Sequence, residues 1–150
     1  MTNMNFVEKH LKLITQIVLL AVIAAVPFIR ANSLYFPFIS GKVYVFRVLV
    51  ALAFFFWICF LLKRIPADWK RIATDYKKYN ILVVAIAVFF LAQVVASFFG
   101  VDPVYSLFSS IERADGVLQY GFWALYFLMF LSVFREKQDW KLFFAVFTVV

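Results

Sequence analysis

The sequence predicts an all-α, polytopic transmembrane helix bundle: four spans, the start of a fifth, an interfacial amphipathic helix and a short outer helix. Three observations carry this. Four nearly uncharged apolar runs occupy residues 13–29, 44–62, 81–99 and 117–134. As helix, each covers ~26–29 Å, close to the ~30 Å hydrocarbon core of a bilayer. The chain is 66% hydrophobic with mean hydropathy +0.94, well above the ~45–50% of a soluble domain. Its basic residues cluster on alternate sides of the runs rather than along one face. The formal net charge of +7 therefore follows membrane topology and argues against a nucleic-acid partner. With 150 residues there is room for one bundle, so residues 1–150 read as a single transmembrane domain.

The first run, 13–29, follows Lys9 and Lys12. It exceeds the ~7–15 apolar residues of a signal peptide, so an uncleaved span is the preferred reading. The positive-inside rule sets direction. Lys9 and Lys12, then Lys63, Arg64, Lys70, Arg71, Lys77 and Lys78, then Arg135, Lys137 and Lys141 share one side. The other side has Arg30, Lys42, Arg47 and Arg113. The N-terminus is expected in the cytoplasm, and the connections around 30–42 and 100–116 are expected outside. Tyr35, Tyr44, Tyr105 and Tyr120 fall near the outer interface, with Trp69, Tyr76, Tyr79 and Trp140 near the inner one. Their amphipathic rings suit the headgroup layer.

In the cytoplasmic connection Ile65, Trp69, Ile72, Tyr76 and Tyr79 recur at spacings of three and four among lysines and arginines. That is the pattern of an amphipathic helix on the inner leaflet, with plain anchoring its simplest role. In the outer connection Asp102 is placed to cap a helix starting at Pro103. Val104, Leu107, Phe108 and Ile111 give that helix one apolar face. Gly116 suits the turn into the fourth span. Residues 140–150 read as half of a fifth span, so the sequence reads as the N-terminal part of a larger polytopic protein.

Polar residues inside apolar runs are costly and mark function or helix contacts. Arg47, Gln93, Ser97 and Gln119 all fall in the outer part of their runs. Two readings stand level for Arg47: snorkelling to the headgroups, or lining a polar chamber whose ligand is an anionic phosphate, matched by its forked donors. For Gln93 and Ser97, bonding to a neighbouring helix is the simpler role. One cysteine and one histidine cannot build a His/Cys metal site. No phosphate-cradling glycine loop, Ser/His/Asp set or glycosidase carboxylate pair is present, and Glu112 and Asp115 flank Arg113. No catalytic residue and no cofactor are assigned.

The stretch Ser40-Gly41-Lys42-Val43-Tyr44-Val45-Phe46-Arg47-Val48-Leu49-Val50 resembles the outer loop and second span of bacterial O-antigen ligase and polymerase proteins. Phe99-Gly100-Val101-Asp102-Pro103, then Ser106-Leu107-Phe108 and Glu112-Arg113-Ala114-Asp115-Gly116, is similar to the segment leaving their third span. The likeness covers about residues 34–134. It implies a metal-free glycosyltransferase of the inner membrane, taking glycan from undecaprenyl diphosphate to a lipid A-core, glycan or protein acceptor in the periplasm. An acceptor hydroxyl would attack the anomeric carbon while arginines stabilise the leaving diphosphate. The family's catalytic arginines and histidine belong to later helices. By resemblance, Arg47, Glu112 and Arg113, with Gln93 nearby, would support the lipid-diphosphate chamber. Half of a transporter or flippase, and a non-catalytic membrane scaffold, are the competing readings.

Overall fold

A computed structural model describes residues 6–30, 32, 39–78, 80–110 and 116–150, and for 64–78 and 80 it describes the backbone. Among the described residues there are helices and no strand. They are α1 (Phe6–Ala25), continued by a 3-10 turn at Val26–Phe28, α2 (Ser40–Lys78), α3 (Asn80–Phe98), α4 (Pro103–Phe108), α5 (Val117–Val133) and α6 (Lys137–Val149). Three stretches, Phe6–Phe28, Ser40–Lys63 and Ile81–Phe98, are long and apolar enough to cross a membrane. Helix α5, at 17 residues, is shorter and equally apolar in character. These helices point to a membrane protein.

The runs at 81–99 and 117–134 match α3 and α5 within one residue. Elsewhere the helices outrun the apolar stretches. Helix α1 begins at Phe6, so Lys9 and Lys12 lie within it. Lys9 is exposed, and Lys12 finds an ionic partner; either suffices to keep a cation on a helix. Pro27 has no N–H for an α-helical bond, and the chain tightens there into the 3-10 turn. Helix α2 starts at Ser40, four residues before the run at 44–62, and continues unbroken to Lys78. The segment expected to form a separate interfacial helix is thus an extension of the second span. At 39 residues the helix is about 58 Å long, nearly twice the hydrocarbon thickness. Helix α6 starts at Lys137, three residues before the expected half-span, because Glu136 and Asp139 form a capping box.

Side-chain contacts set the helix directions. Arg47 meets Gln119 and Trp57 meets Ser132, so α2 and α5 run parallel. Tyr126 reaches Leu19 and Lys12 reaches Asp139 beyond the end of α5, so α1 runs antiparallel to α5, and Phe90 of α3 lies against Gly121 of α5. Leu19, Leu20 and Val22 of α1, Phe46, Val50 and Ala53 of α2, and Met129, Phe130 and Val133 of α5, with Phe134, form the core. Phe130 stacks on Phe134 with centroids 4.1 Å apart, and Phe143 of α6 meets Phe130 edge-on at 4.9 Å. Helix α3 stands outside this core and packs on α5.

The outer connection behaves locally as read. Asp102 caps α4, accepting a bond from the Tyr105 N–H at 2.9 Å, with Pro103 in the first turn. The helix stops at Phe108, before Ile111, which lies outside the described residues. Ser109 ends it at φ 59°, a left-handed conformation uncommon for a residue with a Cβ. Its N–H bonds the Tyr105 carbonyl at 2.7 Å. Helix α4 then sits directly on the start of α5. A Cβ on Gly116 would fall on the Leu107 carbonyl and 2.7 Å from the Phe108 carbonyl carbon.

Because those neighbours are backbone, Gly116→Ala must push α4 off α5, at a cost of about 1–3 kcal/mol. At Gly100 an added Cβ meets first the Ser106 hydroxyl, at 3.1 Å, which can give way. In detergent, thermal unfolding of Gly116→Ala is expected several degrees below that of both the unaltered protein and Gly100→Ala. Equal midpoints for the two variants would show that the α4–α5 contact is loose.

Candidate functional site

Two polar centres lie at opposite ends of the bundle. The first lies where α2 and α5 begin. Arg47 is half-buried and seven residues into α2, hence ~10 Å along the helix. Its Nε donates to Gln119 Oε1 at 2.9 Å. Its guanidinium carbon lies 5.7 Å from the centroid of Phe122, within cation–π range. Next to it, buried Phe46 stacks on Trp123 at 4.6 Å, fixing the helix face that carries Arg47 against α5. Gln119 is buried in the first turn of α5, where its N–H bonds the Gly116 carbonyl at 2.8 Å.

Of the residues singled out in the sequence, the structure joins Arg47 and Gln119. Gln93 is on α3, half-buried. Its carbonyl accepts from the Ser97 hydroxyl at 2.8 Å, so Ser97 bonds back into its own helix rather than across to a neighbour. Among the described residues no hydrogen bond links the Gln93 side chain to Arg47 or Gln119. Glu112 and Arg113 lie outside the described residues.

The second centre is one that reasoning from the sequence missed. At the far end, Lys12 Nζ donates to Asp139 Oδ2 at 3.0 Å, and Gln16 Nε2 donates to Asp139 Oδ1 at 2.7 Å. The backbone N–H groups of Arg135 and Glu136 also donate to Asp139 Oδ2, at 3.2 and 3.1 Å. Glu136 adds a looser ion pair to Lys12 at 3.8 Å. The two charged side chains of the close pair are 16% and 12% exposed. Helix α1 is thereby bolted to the turn between α5 and α6. The only local hint was the spacing of Glu136 and Asp139; nothing local ties them to residues 123 and 127 positions away.

Burial alone would raise the pKa of Asp139. The Glu136 N–H, the Gln16 amide and the Lys12 ammonium, by hydrogen bond and by charge, outweigh it and hold the carboxyl below its ordinary value. Among the described residues no group of three His, Cys, Asp or Glu is placed to hold a metal, and no buried side-chain polar atom lacks a partner.

No family model, no curated protein and no solved structure matches this chain. The chemistry of the two centres therefore has to be read from their own residues. The Lys12–Asp139 centre is neutralised within itself and serves structure. The Arg47–Gln119 centre holds a guanidinium beside an amide and an aromatic ring within an apolar helix, and is the better candidate for a ligand.

Since the folded state holds Asp139 ionised more firmly than the unfolded chain does, its contribution to stability is complete at neutral pH. It fades as pH falls below about 4 and through the lowered value. Asp139→Asn is expected to cost about 1.5–3 kcal/mol at pH 7, the range for hydrogen bonds to a charged group, and to flatten the acid limb of the stability profile. Unfolding midpoints at pH 7 and pH 3 measure both; an unchanged acid limb in the variant would remove Asp139 from this role.

Proposed function

We propose that this chain is part of an integral-membrane glycosyltransferase of the O-antigen ligase or polymerase type. It sits as a multi-pass protein in the bacterial inner membrane with its N-terminus in the cytoplasm. The reaction moves a glycan from undecaprenyl diphosphate to a lipid A-core, glycan or protein acceptor on the periplasmic side. The observation that supports the reading is the position of Arg47. A guanidinium is held about one turn inside an apolar run, at the end of the bundle that the basic-residue distribution assigns to the periplasm, and Gln119 and Phe122 orient it. Membrane-embedded arginine is costly enough that its usual use is functional, and its donor fork fits the oxygens of a phosphate. Helix α4, fixed between α3 and α5 at the same end, would form one wall of the chamber. Membrane lipids surround the apolar faces, and no metal enters the reaction.

The role assigned to Arg47 is to hold the lipid diphosphate, not to react. Lysine keeps the charge but loses the fork and is a poorer mimic than its charge suggests. In the intact protein within cells, Arg47→Ala is expected to lower glycan transfer at least tenfold, with Arg47→Lys intermediate and both proteins present at normal levels in the membrane. Transfer and undecaprenyl-diphosphate binding that are unchanged in Arg47→Ala would overturn the assignment.

A further inference from the structure

The extension of α2 beyond the membrane span carries a pattern that the bundle does not use. From Lys63 the sequence repeats every seven residues: Lys-Arg-Ile at 63–65, Lys-Arg-Ile at 70–72, and Lys-Lys at 77–78. Asp68 and Asp75 share the same spacing, as do Trp69 and Tyr76. The backbone is helical throughout, to Lys78. At 100° per residue, positions 65, 69, 72 and 76 fall on one face. Positions 63, 70 and 77 form one row beside the opposite face, and 64, 71 and 78 form another. Each basic doublet thus lies about 10 Å further along the helix than the last. Six cations stand against two carboxylates.

We propose that residues 64–78 are a docking surface for anionic phospholipid headgroups in the leaflet next to Lys63. Three facts favour a lipid surface as the occupant. The segment is continuous with a helix apolar enough to cross the membrane, so it is tethered where headgroups are. Clusters of four to eight Lys or Arg directly following a transmembrane helix are the recognised form of anionic-lipid binding. The apolar face contains Trp69 and Tyr76, residue types favoured at the interface, and two repeats are short of the three to four heptads that a coiled coil requires. Pro66 supplies the means of docking. It has no N–H to give to the Leu62 carbonyl, so the ladder is already interrupted where the span ends, and bending there brings the extension toward the bilayer plane. The inference is independent of the reaction proposed above, since it needs only the span.

The test uses the whole chain in lipid nanodiscs of phosphatidylcholine alone or mixed equally with phosphatidylglycerol. A spin label at Ala73→Cys, in a Cys59→Ser background, reports immersion depth beside the apolar face. Immersion is expected to be several-fold greater in anionic discs. It should be reversed by high salt and lost when Lys70, Arg71, Lys77 and Lys78 are all changed to Gln, a residue that keeps helix propensity. The salt reversal is measured without those changes, so a misfolded quadruple variant cannot decide the outcome. Equal immersion in both lipids would overturn the proposal. So would spin–spin broadening between two chains in one disc, which would give the apolar face to a second copy.

Discussion

In a bilayer an apolar side chain gains nothing by leaving lipid for another helix. Neighbours are therefore chosen by close packing and by the few polar groups that need partners. That constraint explains which helices of this chain touch. Among the described residues five side-chain bonds cross between helices: Lys12 and Gln16 to Asp139, Arg47 to Gln119, Trp57 to Ser132, and Tyr126 to the Leu19 carbonyl. Helix α5, or the first turn of α6 that follows it, takes part in every one. At an average near 0.6 kcal/mol for a polar contact inside a membrane bundle, such bonds select the arrangement more than they stabilise it. The stabilisation comes from dispersion contacts around Leu19, Val50, Met129 and Phe134, all buried to 1% exposure or less.

The two charged centres solve the same problem differently. Lys12 and Asp139 are helix-end residues brought together near an interface, where two backbone N–H groups and an amide share the carboxylate. The cost of withdrawing the pair from water is met locally, and the centre is closed. Arg47 lies along the wall of α2 and faces an amide and an aromatic ring. Both interactions orient the guanidinium. A site that binds a doubly charged lipid headgroup needs an oriented cation of this kind.

The apolar runs and the Asp102 cap were legible in the sequence because each depends on neighbours within a few residues. Helix ends were less legible. Hydropathy marks where lipid begins, whereas helical hydrogen bonding continues through Lys9, Lys12 and Ser40, and past Pro66, as long as each displaced polar group has water or a partner. Arg47 and Gln119 were recognisable as polar residues toward one end, but their pairing spans 72 positions and depends on α2 and α5 running parallel. Alternating spans already make those two helices parallel; what the sequence leaves open is that they are neighbours. Asp139 was invisible for the same reason: it reads as a turn residue until α1 is placed beside it. Gln93 illustrates the reverse error. An amide in an apolar run implies a polar neighbour, yet Gln93 is tied to the others by its place on the outer part of α3 and by no bond among the described residues.

Helix lengths follow from the same solvent. The stretches Phe6–Phe28 and Ser40–Lys63 have 23 and 24 residues, about 35 Å, and tilt accommodates the excess over the hydrocarbon core. Helix α5 has 17, about 26 Å, and would fall short if it stood in lipid with bare ends. The terminal residues Val117 and Val133 are covered by protein. Gly116 lies under α4, and Val133 and Phe134 are buried beneath α6 and α1. Irregular backbone at membrane depth is tolerated where protein covers it, so the most central helix can be shorter than the three longer apolar stretches. The contact between Gly116 and the Leu107 carbonyl is then more than local packing: it holds α4 on the start of α5, in whose first turn lies Gln119, the partner of Arg47. A side chain at 116 would push α4 off the central helix and displace a wall of the candidate site together, which ties the stability of α5 to the geometry around Arg47.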